Sequence, residues 1–461
     1  MRDLSAADAA NIIFRVSLLN TNLRKAFNLR KERLIGMRAM NRKKRTYAVI
    51  LSLVMLAAAL LNAVGCAMDA QAADLMKGIH AKNVSGKQTD DSFIASAANF
   101  SIELFRRTTQ KDESMMISPL SVMLALAMTA NGADQATKTQ MSGMLGGEIP
   151  LETLNEYLYS YVKTLPSEKN SKLSIANSIW FRDTEDMRVS EKFLQTNADY
   201  YGASAYKAAF DEQTVRDINN WVKDKTDGTI EKIIGKDTID AHSMMYLINA
   251  IVFDAEWSTV YKKENIHEGT FHAADGAKQT VEMMTSNETA YINDGKATGF
   301  VKPYKDNHYS FAAFLPAEGL SLDEYIASLT GESFVQTVES AKTDAEGVVV
   351  TMPKFSGETE IKLNEALKAM GMTDAFGAGA DFSGMVESEK IELFVNEVLH
   401  KTYISVDELG TKAGAVTSVQ MTLGAAPIEN RVTLDRPFVY AVIDNATNLP
   451  VFIGTVTGIE G

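Results

Sequence analysis

Residues 405–427 read SVDELGTKAGAVTSVQMTLGAAP, a stretch rich in Gly, Ala, Thr and Ser. Between Gly410 and Ala426 it contains one charged residue, Lys412, and no proline. Small residues recur at every second position from Thr411, the period of a strand whose one face must fit a close-packed interior. An unstructured segment of this length usually has a function. We therefore predict that it can exist both as an exposed loop and as a central strand; an ordinary flexible loop is the alternative.

The composition excludes several classes of protein. The chain has 461 residues, 46 of them basic and 59 acidic, for a net charge of −13. Residues 1–65 hold twelve Lys/Arg and three Asp/Glu, a charge of +9, so removing them from the total leaves −22 for the remainder. Such an acidic body is unsuited to nucleic acid, which needs clustered Lys/Arg. The single cysteine, Cys66, excludes an intramolecular disulfide and a cysteine-based zinc site.

The basic N-terminal region contains a secretory signal at 40–65. Four consecutive basic residues at 42–45 precede an apolar run at 47–61. The small residues before Cys66 resemble a bacterial lipobox, which predicts lipid attachment to Cys66. Ordinary cleavage near Ala70-Gln71-Ala72 and an uncleaved membrane anchor are the alternatives. The sequence thus predicts an exported protein, either a membrane-anchored lipoprotein or a secreted, extracellular one.

Three further regions are expected along the chain, besides the signal at 40–65. Because export signals normally start a protein, residues 1–39 are interpreted as a mis-assigned extension and Met40 as the true start. Residues 66–91 are small and polar and are predicted to form a tether. Residues 92–461 contain no Pro/Gly-rich linker and are predicted to form one domain.

Within that domain, helical patterns come first and strand patterns later. Helical spacing and a Ser118-Pro119 start predict helices at 92–107, 119–130, 134–145, 151–164, 212–234 and 363–371. Strands are predicted at 173–181, 245–253, 280–285, 298–303, 309–315, 347–355, 390–395 and 400–407, with turns at Asp275-Gly276 and Asp294-Gly295. Because no regular βαβ alternation occurs, the predicted fold class is α+β.

No catalytic motif is complete. Residues 202–206 lack the closing glycine of a nucleophile elbow, and Phe382 replaces the third glycine of a dinucleotide-binding loop at 377–382. His267 and His272 are one residue too far apart for a zinc-binding helix and are interpreted as exposed strand residues. The sequence therefore predicts a protein that is not an enzyme and needs no cofactor or metal.

A series of short motifs runs through the domain. In chain order they are Ile117-Ser118-Pro119-Leu120-Ser121, Gly132-Ala133, Thr137, Ala176-Asn177-Ser178-Ile179-Trp180, Ile218-Asn219-Asn220-Trp221-Val222, Ile248-Asn249-Ala250, Phe253, Trp257, Met283-Met284, Leu315-Pro316, Met352-Pro353-Lys354-Phe355, Gly371-Met372, Asp381-Phe382-Ser383, Asn396, Glu408-Leu409-Gly410-Thr411 and Asp435-Arg436-Pro437-Phe438. Each is weak alone, but the ordered series resembles the serpins, the serine protease inhibitor family. The resemblance covers about 92–457 and, with the leader, indicates an exported bacterial serpin.

The resemblance implies a fold and a mechanism. The fold has a large central β-sheet, two smaller sheets, helices packed around them and an exposed reactive loop near the C-terminus. The implied function is inhibition of serine-type endopeptidases as a suicide substrate: the protease cuts the loop, and the loop's hinge inserts into the central sheet. A non-inhibitory serpin that acts as a binding or structural surface protein is the alternative.

The resemblance also assigns roles to individual residues. The hinge comprises Gly410, Thr411, Ala413, Gly414, Ala415, Val416 and Thr417. A polar cluster at the sheet-opening point comprises Ser118, Ser121, Asn249 and His400, and the top of the sheet comprises Trp257, Lys354 and Glu408. Leu409 and Lys412 depart from the family pattern, which commonly has acidic residues at both positions. Lys412 should face outward by alternation.

Counting from the hinge places the reactive bond between Gly424 and Ala425, with Leu423 and Ala426 as alternates. These small residues predict elastase-like or subtilisin-like targets, since no Arg or Lys lies near the bond. A glycosaminoglycan partner is not expected, because residues 151–165 carry two glutamates and one lysine. We expect no nucleic-acid partner, a monomer, and membrane contact only through a lipid anchor.

Overall fold

The computed structural model describes residues 72–166, 171–236, 238–239, 243–344, 346–388, 391–411 and 428–459. These residues belong to one unit, Ala70–Gly461. The signal at 40–65, the predicted lipidation residue Cys66 and residues 412–427 lie outside the described residues.

Six of the nine α-helices in the described residues lie where the sequence predicts a helix, and those at 191–201, 322–328 and 331–344 are additional. The nine helices are α1 (Asp91–Thr108), α2 (Pro119–Ala130), α3 (Gln135–Gly146), α4 (Leu151–Thr164), α5 (Glu191–Tyr201), α6 (Glu212–Lys225), α7 (Leu322–Ser328), α8 (Gly331–Asp344) and α9 (Asn364–Ala369). α2 begins at Pro119 because the Ser118 side chain caps it and proline lacks only an N–H that the first turn does not need. Every residue of α2 is buried, as its apolar sequence predicts.

The strands of the described residues are interspersed among the helices without a regular alternation. They are β1 (Ala73–Asp74), β2 (Met115–Ile117), β3 (Ser171–Arg182), β4 (Ser204–Ala208), β5 (Met245–Glu256), β6 (Ile266–His272), β7 (Lys278–Glu288), β8 (Ala290–Asn293), β9 (Ala297–Pro303), β10 (Tyr309–Pro316), β11 (Val348–Pro353), β12 (Phe355–Lys362), β13 (Glu397–Val406), β14 (Gly410–Thr411), β15 (Asn430–Thr433), β16 (Phe438–Asp444) and β17 (Pro450–Val456). The turns at Asp275-Gly276 and Asp294-Gly295 are confirmed, with positive φ at both glycines.

The strands form one large sheet and two smaller ones. The central, seven-stranded sheet has the order β1-β4-β3-β5-β14-β13-β12. The second sheet has six strands, in the order β2-β17-β16-β10-β9-β8, and the third has four, in the order β15-β11-β7-β6. The predicted α+β arrangement is thus confirmed.

The central sheet is buried on both faces at β5. Leu247, Ile251 and Phe253 pack in one hydrophobic cluster. The intervening Ile248 and Val252 pack in a second cluster around Trp221 of α6. A strand covered on both faces must be apolar at nearly every position, and this explains why 245–253 shows no alternation.

Two neighbouring strands of this sheet change partners along their length. β5 and β13 pair directly and in parallel, from Tyr246 opposite Glu397 to Ile251 opposite Thr402. Above that point β14 lies between them, antiparallel to both. The two-residue strand therefore occupies the top of a gap that is closed below.

Three predicted elements differ from the structure. The helix predicted at 212–234 ends at Lys225, because Asp227 and Gly228 adopt positive φ angles of 49° and 78°. Residues 229–234 fold back instead, and the Asn219 side chain accepts hydrogen bonds from the amides of Ile233 (2.8 Å) and Ile234 (3.1 Å).

The other two differences concern strands. The segment 347–355 contains the end of one strand and the start of another, because the chain passes from the four-stranded sheet to the central sheet at Lys354. Residues 391–395 form no strand. Val395 N donates to Ala375 O and Asn396 N to Met245 O, single bonds to different elements that build no ladder.

The predicted tether is also different where it is described. Residues 73–74 pair with the edge strand β4. Ala72 N donates to the Asp217 carboxylate of α6 (3.1 Å), and Lys87 N donates to Glu156 O of α4 (3.1 Å). An edge strand offers unpaired backbone groups, so even a polar segment can bind it. Residues 72–90 therefore lie along the domain; within the described chain, no helix is long and apolar enough to cross a membrane.

The end of α6 gives a testable prediction. Gly228→Ala should destabilise the protein by about 1 kcal/mol, because an L-residue resists positive φ. Gly143→Ala is the matched control: Gly143 lies within α3 with open space around its Cα, so alanine there should be neutral or stabilising. Thermal denaturation of both variants tests this, and an equal effect on the midpoint would contradict it.

Candidate functional site

The candidate site is the top of the gap between β5 and β13. Gly410 lies opposite Glu256, and Thr411 lies opposite both Ala255 of β5 and Val406 of β13. The first two predicted hinge residues are thus already paired in the central sheet. The other hinge residues (Ala413, Gly414, Ala415, Val416, Thr417) and the reactive-bond residues (Leu423, Gly424, Ala425, Ala426) lie outside the described residues.

Gly410 is required by the closeness of β5. A Cβ at this position would lie 2.0 Å from the carbonyl oxygen of Ala255. Any side chain would therefore push the two backbones apart. The glycine allows the chain to enter the gap.

Thr411 is held by a buried hydroxyl pair. It is 1% exposed, and its hydroxyl lies 2.5 Å from that of Tyr304. Burial raises the pKa of Tyr304, so this phenol stays protonated over any physiological pH. The Thr411 side chain points into the protein.

The turn before Gly410 is stabilised by an aspartate. The Asp407 carboxylate accepts hydrogen bonds from Leu409 N (2.8 Å) and Gly410 N (3.1 Å). Asp407 N in turn donates to Gly410 O (3.0 Å). Such aspartate-capped turns are typical of tight reversals. We call residues 407–410 the hinge turn.

Two aromatic residues hold the carbonyl groups of the hinge turn. Trp257 donates from its backbone N to Leu409 O (2.9 Å) and from its indole Nε1 to Asp407 O (2.8 Å). Tyr261 N donates to Glu408 O (3.0 Å). The Trp257 ring also stacks on Tyr304, with ring centroids 4.5 Å apart.

An ion pair closes the same end of the sheet. Lys354 Nζ lies 2.8 Å from the Glu408 carboxylate and 3.1 Å from that of Glu282. Burial disfavours the charged form of Lys354, but its bonds to the two glutamates outweigh this and raise its pKa. The hydrogen bond from Lys354 lowers the pKa of Glu408. The structure thus brings together Trp257, Lys354 and Glu408, as predicted from the sequence.

The predicted polar cluster lies lower, under the paired part of β5 and β13. Ser118, Ser121, Asn249 and His400 are all fully buried. His400 Nε2 accepts from Ser118 N (2.9 Å), so the proton lies on Nδ1, which is hydrogen-bonded to the Asn249 side chain. Asn249 donates to Ser121 Oγ. Because Asn249 and His400 are opposite each other on β5 and β13, their bond joins the two strands.

Sequence reasoning missed three residues of this site: Asp407, Tyr261 and Tyr304. Tyr261 and Tyr304 lie far from the hinge in sequence, and only the folding of the sheets brings them to it. Asp407 belongs to the hinge turn itself, and an aspartate three residues before a glycine is a local signal for such a turn.

The arrangement can receive a further strand. In the register of β14, residues after Thr411 would continue downward, opposite Asp254 and then Phe253 of β5. Three residues fit before the first direct pair, Ile251 with Thr402, must separate. Beyond that point, each added residue would exchange one β5–β13 pair for two pairs with the new strand.

The buried imidazole predicts a pH effect. Burial lowers the pKa of His400 to about 3, whereas an unfolded histidine titrates near 6.5. Between these values only the unfolded chain binds the proton, so stability falls as pH decreases from about 6.5, by up to about 1.4 kcal/mol per pH unit. His400→Gln should remove this contribution. Urea denaturation from pH 7 to pH 4 measures how the free energy of unfolding changes with pH. The variant His267→Gln, at an exposed position, should show the same pH dependence as wild type. If His400→Gln also showed the wild-type pH dependence, the assignment would be contradicted.

Comparisons with known proteins agree with this architecture. Residues 95–459 match the family described as Serpin (serine protease inhibitor). Serpin B6 of Macaca fascicularis is 31% identical over 381 residues, which are 77% of this chain and 96% of that protein.

Two solved structures of a thermophilic serpin, Tengpin, are also similar. The native state is 55% identical, with a TM-score of 0.81 and coverage of 84% of this chain and 100% of that one. The latent state is 54% identical, with a TM-score of 0.72 and coverage of 81% and 100%. From its sheets, its hinge and these matches, the chain belongs to the serpin family of serine protease inhibitors.

Proposed function

We propose that this serpin is not an enzyme but inhibits serine proteases as a suicide substrate, by inserting its cleaved loop into the central sheet. The observation that carries the proposal is β14: Gly410 and Thr411 already lie between β5 and β13. Cleavage of the loop would free the residues after Thr411 to extend this strand. A protease still attached as the acyl-enzyme would be carried with them.

The register supports a defined path for the inserting strand. By the spacing of β14, Ala415 would meet the Ile251–Thr402 pair, and Thr417 would reach the level of Asn249 and His400. The hydroxyl of Thr417 could then replace the hydrogen bond that joins those two residues. Insertion through residue 420 would displace every direct pair between β5 and β13.

The alternation of faces supports the composition of the hinge. Because Thr411 faces the interior, Ala413, Ala415 and Thr417 would do so as well, and all are small. Lys412 would face the other side, opposite the half-buried Asp254, an oppositely charged cross-strand neighbour. The basic residue at 412 thus favours insertion in this chain.

Energetics support a metastable starting state. About a dozen residues gaining ladder hydrogen bonds, each contributing about 1 kcal/mol net, would stabilise the inserted form by roughly 10 kcal/mol. The uncleaved form therefore persists through a kinetic barrier. The similar serpin Tengpin is known in both a native and a latent state.

The residues near the reactive bond support the choice of target. Leu423, Gly424, Ala425 and Ala426 are apolar and small or medium in size. They suit the shallow primary pockets of elastase-like and subtilisin-like proteases. We place the cleaved bond between Gly424 and Ala425.

The first test mixes the purified protein with pancreatic-type elastase and with subtilisin. We expect a covalent complex that survives denaturation in detergent, since the acyl bond is trapped before hydrolysis. Mass spectrometry of the released C-terminal peptide should show Ala425 as its first residue. Cleavage without a complex would contradict inhibition and favour the non-inhibitory alternative.

The second test alters the hinge. Thr411→Arg places a charge where a hydroxyl is now fully enclosed, and an uncompensated buried charge is costly. We expect this variant to be cleaved and released as a substrate, with its rate of protease binding unchanged. Lys412→Arg, which keeps the charge on the outer face, is the matched control and should still trap. Normal trapping by Thr411→Arg would disprove insertion by this route.

A further inference from the structure

A buried ion pair lies behind the aromatic residues that hold the hinge turn. Lys302 of β9 is 1% exposed and Glu288, the last residue of β7, is 8% exposed. Lys302 Nζ lies 2.6 Å from the Glu288 carboxylate. Burial disfavours the charge on Lys302, but the negative charge of Glu288 outweighs this and raises its pKa. Lys302 therefore keeps its positive charge in the folded protein.

Such a pair is a poor source of stability. Desolvating both ions offsets most of their attraction, and apolar residues of similar size often stabilise a fold equally well. What a buried ion pair can provide is a unique geometry, because each charge must keep its partners. The contacts of Lys302 indicate which geometry it fixes.

Lys302 contacts the segment 257–261 at three points. Its Nζ donates to Thr259 O (3.2 Å), and it lies 4.6 Å from the ring centroid of Tyr261 and 5.4 Å from that of Trp257. A cation near an aromatic face is attracted to the ring, more strongly when water is excluded.

Glu288 is connected to the same segment. Its carboxylate accepts from Ser286 Oγ (2.6 Å), which also lies 3.3 Å from the Tyr261 hydroxyl. Both members of the pair thus help to orient Tyr261.

The segment 257–261 supplies the donors to all three carbonyl groups at 407–409. The contacts therefore run without a break from the buried pair, through Trp257 and Tyr261, to the hinge turn. Neither Lys302 nor Glu288 touches Gly410 or Thr411 in any contact described above. Their influence on the hinge must act through the segment 257–261, which contains both aromatic residues.

We propose that Lys302 and Glu288 are positioning residues that keep the hinge turn formed and thereby set the rate at which the cleaved loop enters the central sheet. The turn between β13 and β14 is needed in the starting state and also in a fully inserted strand, since β14 grows from it. When the turn is already held in place, no conformational entropy has to be lost to form it during insertion. The support therefore accelerates insertion.

The consequence for inhibition rests on the proposed function. Insertion competes with hydrolysis of the acyl-enzyme, so slower insertion releases more protease with a cleaved serpin. The number of serpin molecules consumed per protease trapped should rise. The rate at which the protease first binds the loop should not change, because no residue of the pair lies in the loop.

The test compares wild type with the double variant Lys302→Met/Glu288→Gln, which removes both charges and keeps similar volumes. Insertion is followed directly, by the change in tryptophan fluorescence after a protease cuts the loop. We expect insertion to be about fivefold slower. This corresponds to an activation free energy raised by roughly 1 kcal/mol when the rings lose the cation that orients them. With elastase or subtilisin, the stoichiometry of inhibition should rise while the association rate stays the same.

Two single variants separate positioning from stability. Lys302→Arg keeps the positive charge, so its insertion rate should be close to that of wild type and faster than that of the double variant. Lys342→Met is the matched control: it removes a partly buried ammonium of α8 that donates to Asn445 O and to the Asn448 side chain, neither of which belongs to the segment 257–261 or to the hinge turn. It should lower the thermal midpoint without changing the insertion rate.

The outcomes are distinct. An unchanged insertion rate in the double variant overturns the proposal, whatever its thermal midpoint. If the double variant does not fold, Tyr261→Leu decides, since it removes the ring but keeps the backbone donor; normal insertion there also overturns the proposal. If wild type inserts after cleavage but traps neither protease, the proposed function fails while the insertion rates still test the role of the pair.

Discussion

The direct pairing of β5 with β13 is the interaction on which the structure depends. It covers only the residues from Tyr246 to Ile251 and from Glu397 to Thr402, and above it the two strands are separated by β14. Both faces of β5 are covered by apolar side chains, so the strands cannot move apart without disturbing two hydrophobic clusters. The sheet is thus closed by packing and by a short ladder, and it is open where the hinge turn enters.

Two levels of this part of the sheet, one within the ladder and one above it, are held by different chemistry. At the lower level, a neutral imidazole and an amide bridge the strands with directional hydrogen bonds in a fully buried setting. At the top, stacked aromatic rings and the Lys354–Glu408 ion pair contact the hinge turn, and the buried Lys302–Glu288 pair lies behind the rings. Hydrogen bonds between neutral groups exchange readily for equivalent ones, whereas the aromatic and ionic contacts fix a position. The lower contacts are suited to being replaced, and the upper ones to being kept.

The sequence predicted the elements whose signals are local. α2 and α4 agree with the predictions because a Ser-Pro start and helical spacing define them, and the long strands agree because β-rich runs do. The family resemblance correctly grouped Trp257, Lys354 and Glu408. It could not indicate Tyr304, Tyr261 or Lys302, because their proximity to the hinge depends on how three sheets meet. The helix predicted at 212–234 failed since a left-handed turn at Asp227 and Gly228 outweighs the apolar spacing beyond it.

The strand added by residues 73–74 has a consequence for behaviour at high concentration. A sheet that keeps a gap at its centre is exposed to a second hazard at its rim, where unpaired backbone groups can template another molecule. β1 covers that rim at β4, and alternating charged residues at Glu358, Glu360 and Lys362 discourage stacking along the opposite strand, β12. The two outer sides of the central sheet are thus blunted by different means, one by a segment of only two residues and the other by charge.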